Sequence, residues 1–313
     1  MKDITNQFED VPEGHKSGFV TVVGRPNVGK STLLNGLMQQ KIAIVTPRPQ
    51  TTRTRQLGII TEESYQMVLM DTPGIMREPL HKLDEFMRGP ADEPVGDADI
   101  ILWLVDLTTK PQDEDREIAA RINKLKVAGQ TLLCLNKLDA LKPEEVMPRT
   151  EAYRALLPEE TRWIAFSAKM NAGVDELLET AVSMLPEGPR YYPADQTTDV
   201  YIRDIAAEMV REQVMLKLRD EIPYSVAVQV EQFKERENGL TYIEANVFIE
   251  REAHKKIIIG KKGAMLRQIG AAARKEIEGL VEGKVFLELR VKVAPKWRRD
   301  EKSLRRFGYS EKK

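Results

Sequence analysis

Residues 24–31 read GRPNVGKS, with glycines at 24 and 29 and a lysine–serine pair at 30–31. Glycine at such places lets backbone N–H groups turn inward around an anion, and the pattern G-x-x-x-x-G-K-[ST] is that of a triphosphate cradle. Gly24, Arg25, Pro26, Asn27, Val28, Gly29 and Thr32 therefore stand as nucleotide-binding candidates. Lys30 would neutralise the β- and γ-oxygens, and Ser31 would offer its hydroxyl to Mg2+. Further on, MDTPG places Asp71 where it can approach the magnesium through water. Thr72 and Pro73 lead to Gly74, whose N–H can meet the γ-phosphate. In NKLD, Asn136 and Asp139 flank Lys137, which would lay its stem along a base. A carboxylate there accepts both N1–H and the exocyclic amine of guanine. Adenine offers no such pair of donors and would leave the buried acceptor unpaired, so GTP and GDP are the expected ligands. Ser167, Ala168 and Lys169 in FSAK are placed to close the base pocket with a backbone N–H.

Such groups need strand ends to hold them. The apolar runs FVTVV, QMVLM, IILWLV, TLLCL and WIAF alternate with helical patterns such as DEDREIAARINKLK, which implies a mostly parallel α/β sheet with the motifs at strand C-termini. The stretch LPEGPRYYPADQTT, rich in proline and turn residues, marks a linker. After it the order changes to α+β. A helix is expected to start near Asp199 as N-cap, with Ile202, Ile205, Met209 and Leu216 at helical spacing. Two alternating strands follow, joined by an Asn-Gly hairpin in RENGL, then a helix with Leu266, Ile269, Ala273 and Ile277 on one face, and a last strand KVFLELRVKV.

Before that helix stands IIIGKKGAMLRQIG. Its two glycines are too close to wrap a triphosphate. The spacing fits instead the G-x-x-G loop that clamps a single-stranded nucleic-acid backbone. Gly260 and Gly263 would frame the loop, and Lys261, Lys262, Arg267 and Arg274 would meet phosphates. Charge supports a polyanion partner: residues 251–313 carry 19 Lys and Arg against 8 Asp and Glu, on a chain of net charge −1. The tail interleaves Trp297, Phe307 and Tyr309 with arginines, which suits either base stacking or packing onto the domain. No apolar run reaches the ~20 residues of a membrane span, and the polar start MKDITNQFEDVPEGHK does not resemble a secretion signal. The lone Cys134, in an apolar run, is expected to be a buried thiol. A cytoplasmic protein is therefore expected.

The four nucleotide segments resemble the motifs of translation-factor-class GTPases. Together with LPEGPRYYPADQTTD, DEIPYSVAV, IIIGKKGAMLRQIG and VFLELRVKVAPKWRRDE, they resemble the bacterial Era family over essentially the whole chain. The resemblance implies an α/β P-loop GTPase domain at 17–185, with a mixed, mostly parallel sheet and helices on both faces. A linker at 186–198 and an α+β type II KH domain with a basic tail at 199–313 would follow. It implies GTP hydrolysis with Lys30, Thr52 and Gly74 in catalytic roles, and Mg2+ held by Ser31, Thr52 and Asp71. In this class a loop threonine binds magnesium only while the γ-phosphate is present. Thr52 is the choice within TPRPQTTRTRQLGI, with Thr51 the runner-up. Ile75 stands where many signalling GTPases carry a water-orienting glutamine, so slow intrinsic hydrolysis is expected. Asn27 resembles a potassium ligand of related GTPases, so K+ is a further cofactor expectation. The family implies binding to the 3′ end of 16S ribosomal RNA, action in 30S subunit maturation, a monomer, and some peripheral association with the inner membrane. Pro90 and Pro94 depart from the family pattern and should shorten or interrupt a helix there. Two other readings compete: an RNA-binding protein with a vestigial nucleotide site, and a metabolic nucleotide-transferring enzyme on a P-loop fold. GTP binding, and release of free phosphate rather than a phosphorylated product, discriminate them.

Overall fold

The computed structural model describes residues 11–48, 51–54, 56–71, 83 and 98–309. Thr72, Pro73, Gly74 and the segment with Pro90 and Pro94 lie outside them. By packing, the described chain divides into two units. Residues 11–42, 54–71 and 98–199 belong to the first, and 43–53, Leu83 and 200–309 to the second.

The first unit is built on a six-stranded sheet in the order β2-β3-β1-β4-β5-β6. Its strands are β1 (Lys16–Val23), β2 (Gln56–Thr61), β3 (Tyr65–Asp71), β4 (Ile100–Asp106), β5 (Thr131–Asn136) and β6 (Arg162–Ala165). All neighbours are parallel except β2, which pairs antiparallel with β3. Every residue from Ile100 to Val105 is 0% exposed, so both faces of the central strand are covered. This explains why β4 reads as a continuous apolar run rather than an alternation. Helices α1 (Lys30–Met38), α2 (Asp113–Leu125), α3 (Pro143–Arg154) and α4 (Val174–Met184) supply the cover. On one face Ile118, Ala119 and Ile122 of α2 and Tyr153 of α3 pack on Trp103, Val105, Leu133 and Leu135. Cys134 is buried, and burial pushes its thiol pKa far up, so it is not a nucleophile at neutral pH. The parallel register sets Val22 beside Asp71 and Asp106 beside Asn136, gathering the strand C-termini at one end.

Residues 186–199 pack along this first unit. Ile59 N–H donates to Thr197 O at 2.8 Å and Thr198 bridges Gly58, so the stretch covers part of edge strand β2. The Gln66 side-chain Oε1 accepts from the N–H groups of Tyr191 and Tyr192. Asp199 accepts from Leu57 N–H at 3.1 Å instead of capping a helix.

The second unit carries a three-stranded sheet, β7 (Ala227–Glu235), β8 (Leu240–Ile249) and β9 (Lys284–Val293), in that order. β7 and β8 are antiparallel and β8 and β9 parallel. The expected Asn-Gly turn joins the first pair, with Gly239 at φ 73°. Helices α5 (Ile202–Lys217), α6 (Glu252–Ile259) and α7 (Ala264–Leu280) precede, follow and flank the strands. Tyr201, not Asp199, is the N-cap of α5. Ile205 and Met209 are buried as expected, but Ile202 and Leu216 are exposed. Their places in the interior are taken by Val210, Val214 and Met215, on a helix that also buries Arg211 and Glu212. On α7, Ile269, Ala273 and Ile277 are buried and Leu266 half-buried. The tail aromatics settle for packing: Trp297 is 0% exposed, donates Nε1–H to Ser225 O at 2.8 Å, and stacks on Tyr309 with α8 (Glu301–Arg306) between them in sequence.

Candidate functional site

β1 delivers the chain directly into the loop at Gly24, and α1 begins at Lys30. Two glycines are obligatory here. Gly24 has φ 156° and a β-carbon on it would stand 2.3 Å from Leu104 O; Gly29 has φ 108° and its β-carbon would stand 2.3 Å from Asn136 Nδ2. Asn27, between them, is itself in the left-handed region at φ 64°. Lys30 Nζ donates to Gly24 O and Arg25 O, both at 3.0 Å. It is thus folded over the loop whose anion it would neutralise. Ser31 and Thr32 follow on the first turn of α1, half-buried.

The base-recognition loop is tied to this cradle. Asn136 Nδ2 donates to Val28 O at 2.8 Å, while its Oδ1 accepts from Lys137 N–H and Ala168 N–H at 2.8 and 2.9 Å. One side chain therefore holds three of the predicted segments together and is 2% exposed while doing so. Ser167 Oγ donates to Asp139 Oδ1 at 2.6 Å, orienting a carboxylate that is otherwise exposed. Lys169 is exposed. The structure thus brings Gly24–Thr32, Asn136–Asp139 and Ser167–Lys169 together. Asp71 ends β3 one strand over, opposite Val22.

Sequence reasoning missed the acidic partner of Lys137. Asp106, at the end of β4, accepts from Lys137 Nζ at 2.6 Å. Burial would raise its pKa, but the bonds from Lys137 and Thr108 outweigh it and hold the carboxyl below its ordinary range. Arg25 was expected only as part of the loop; its Nε lies 2.8 Å from the fully buried Asp115 on α2. The only sequence signal for either acid is position, at the end of an apolar strand and the start of a helix.

Thr51 and Thr52 sit in the second unit, on the segment 43–53. Thr51 Oγ1 donates to Arg48 O at 2.7 Å, and Arg211 of α5 donates to Thr51 O. Val45 N–H donates to Glu212 at 2.8 Å. Arg53 is 3% exposed, donates to Val226 O and Tyr224 O, and lies 5.8 Å from the ring centroids of Trp297 and Tyr309.

In the second unit the lysine loop joins α6 to α7. Gly260 has φ 70° and ψ 178°, a combination open essentially to glycine alone, and Gly263 at φ 79° ends the turn. Between them Lys261 and Lys262 are exposed, as are Arg267 and Arg274. Ile257 of α6 is half exposed ahead of the loop.

A P-loop guanine-nucleotide domain followed by a KH-type nucleic-acid module is the class these two sites define. Comparison agrees. The model of the family described as 50S ribosome-binding GTPase matches residues 19–137, and that of the KH domain matches 221–298. The chain is 46% identical over 299 residues to GTPase Era of Ruminiclostridium cellulolyticum, covering 96% of this chain and 99% of that one. It is 40% identical over 295 residues to the chloroplastic GTPase ERA1 of Zea mays, covering 94% of this chain and 71% of that one. A crystal structure of Era with MgGDPNP and nucleotides 1506–1542 of 16S ribosomal RNA superposes with a TM-score of 0.88 at 39% identity, covering 95% of this chain and all of that one. A variant of Aquifex aeolicus Era bound to GDP.AlF4- gives 0.87 at 38% identity, with the same coverage. The chain belongs to the Era family of GTPases.

Proposed function

We propose that this GTPase is a nucleotide-driven switch that binds the 3′ end of 16S ribosomal RNA through its KH unit and acts in assembly of the 30S subunit. One observation carries the reading. A guanine-selecting loop set and a glycine-framed basic loop occur in one chain, 39% identical to an Era that holds both MgGDPNP and that RNA segment.

The nucleotide site fits its cofactor: the cradle has a backbone course that a β-carbon at Gly24 or Gly29 would disrupt, and Lys30 is already turned onto its carbonyls. Ser31, Thr52 and Asp71 would hold Mg2+, which when bound neutralises charge between the β- and γ-phosphates. Lys30 would exchange its two carbonyl acceptors for phosphate oxygens when nucleotide binds. Asp139, oriented by Ser167, selects guanine. Gly74 would donate its N–H to the γ-phosphate. Isoleucine at 75 cannot orient the attacking water as a side-chain amide would, so slow intrinsic hydrolysis is expected. Asn27 supports a K+ contribution; equal hydrolysis rates in potassium and sodium salts would refute it.

Lys261, Lys262, Arg267 and Arg274 supply phosphate contacts around the loop, with Gly260 and Gly263 letting the backbone approach the strand. The family resemblance supports a monomer in the cytoplasm with peripheral membrane attachment. No helix among the described residues is long and apolar enough to cross a membrane. Crosslinking in cells followed by sequencing of bound RNA tests the main reading: reads should cluster at the 3′ end of 16S ribosomal RNA, and a spread over unrelated transcripts overturns it.

A further inference from the structure

The turn after β4 ties both halves of the nucleotide site. At its start, Asp106 Oδ2 lies 2.6 Å from Lys137 Nζ, and Leu107 N–H donates to Asn136 O at 3.0 Å. The second carboxylate oxygen accepts from Thr108 Oγ1 at 2.6 Å and from Thr108 N–H at 3.0 Å, which fixes the plane of the carboxylate. At its end, Thr109 Oγ1 accepts from Arg25 Nη2 at 3.0 Å. Tyr153 of α3 closes the arrangement from behind, donating to Asp106 O at 3.1 Å. Arg25 is held in turn by Asp115, which is 0% exposed and caps the start of α2 by accepting from Gln112 N–H at 2.9 Å.

Lys137 is the residue whose stem would lie along the guanine ring. A free lysine side chain samples many rotamers, and stopping that motion on binding costs ~1.5–2 kcal/mol. Here it is stopped beforehand at both ends. Its backbone sits in the left-handed region at φ 69°, held by the Asn136 side chain, and its ammonium is anchored on Asp106. The pair is only partly exposed, 35% at Lys137 and 15% at Asp106, so water screens it incompletely. Preorganisation of this kind raises affinity without adding a contact to the ligand.

We propose that Asp106 is a positioning residue for guanine recognition, acting through Lys137 to set nucleotide affinity, with Thr108 as its orienting partner. The inference rests on the reading of this site as a guanine-nucleotide site.

The test is a double-mutant cycle on the full chain, read by equilibrium and stopped-flow binding of fluorescent N-methylanthraniloyl GDP and GTP. Asp106→Ala should raise Kd for both nucleotides about 10- to 30-fold, the equivalent of the lysine rotamer freedom restored, mainly through faster dissociation. In steady-state hydrolysis the loss should fall on KM rather than kcat. In a Lys137→Met background the same substitution should change Kd less than twofold, because the residue through which it acts is gone. Asp106→Asn, which keeps an acceptor for Lys137, should recover part of the affinity. If Asp106→Ala fails to fold, as judged by thermal melting, the same cycle is read with Asp106→Asn. Equal losses in both backgrounds, or an unchanged Kd, overturn the proposal. Failure of the wild-type chain to bind either nucleotide would overturn the reading of the site itself, a separate outcome.

Discussion

At Gly24 and Gly29 a β-carbon would meet another atom at 2.3 Å, whereas at Gly263 the nearest atom stands 3.5 Å away and is the mobile end of Arg267. Gly260 lies between these cases, with Met265 at 2.8 Å. In the phosphate cradle, glycine is needed because a side chain would displace the strand ends and Asn136. In the lysine loop, glycine is needed mainly because the backbone takes a left-handed or fully glycine-type turn. The first loop is packed against the end of β4 and tied to Asn136. The second lies between two helices with its lysines in solvent. Enclosure of a single ligand and passage of a long one place different demands on the same residue.

Gly29→Ala should break the first loop most severely. The new methyl must push Asn136 off Val28, and nucleotide affinity should fall at least 100-fold by filter or fluorescence binding, with RNA affinity kept. RNA loss of equal size would mean the loops are not separable. Neutralising the second loop with Lys261→Ala and Lys262→Ala should weaken single-stranded RNA binding about tenfold. The double change should also reduce the slope of log K against log salt by about 1.4, at ~0.7 per phosphate contact. GTP affinity should stay within twofold. Gly260→Ala should lower stability by ~1–3 kcal/mol in urea unfolding of the transition that includes the KH unit. Gly263→Ala should cost only ~1–2 kcal/mol, since only its φ is at issue; a larger loss at Gly263 than at Gly260 would reverse the ranking.

The smallest effect concerns pH. The folded-state pKa of Asp106 is depressed, since bonds from Lys137 and Thr108 outweigh burial, so its ion pair contributes stability above the unfolded pKa of ~3.9 and loses it as pH falls through the lower folded value. The difference in melting temperature between wild type and Asp106→Asn should therefore be present at pH 7 and shrink below about pH 4. A difference that grows on acidification would put the charge elsewhere.

Much of this site is legible in sequence because its motifs are short and their roles are carried by backbone. Gly24, Gly29, Asn136 and Ser167 are spaced by the loops that contain them, and the strands before them are plain apolar runs. What joins one motif to another is not legible. Asn136 reaches Val28 across 108 residues and Lys137 reaches Asp106 across 31, and neither contact has a local pattern. The α5 reading failed for a related reason. Helical spacing marks one stripe, but this helix is buried on more of its circumference, so Ile202 and Leu216 at its ends fall outside while Arg211 and Glu212 fall inside. Asp199 looked like an N-cap because it precedes a helix. Its carboxylate instead meets Leu57 N–H, 142 residues away. Trp297 and Tyr309 left stacking and packing equally open until their burial against the sheet decided it.

Arg53 gives the neighbouring threonine a mechanical setting. Its guanidinium is fastened to two backbone carbonyls and lies against two aromatic rings inside the RNA-binding unit. Thr52 is one peptide away, a span of about 3.8 Å between Cα atoms. A displacement of the Thr52 Cα longer than about 7.6 Å, twice that link, cannot be absorbed by rotation about a fixed Arg53. It must either draw Arg53 out of its seat or drag Tyr224, Val226 and the tail along with it. The residue chosen for magnesium is thus on a short leash, and the other end is held in the interior of the KH unit.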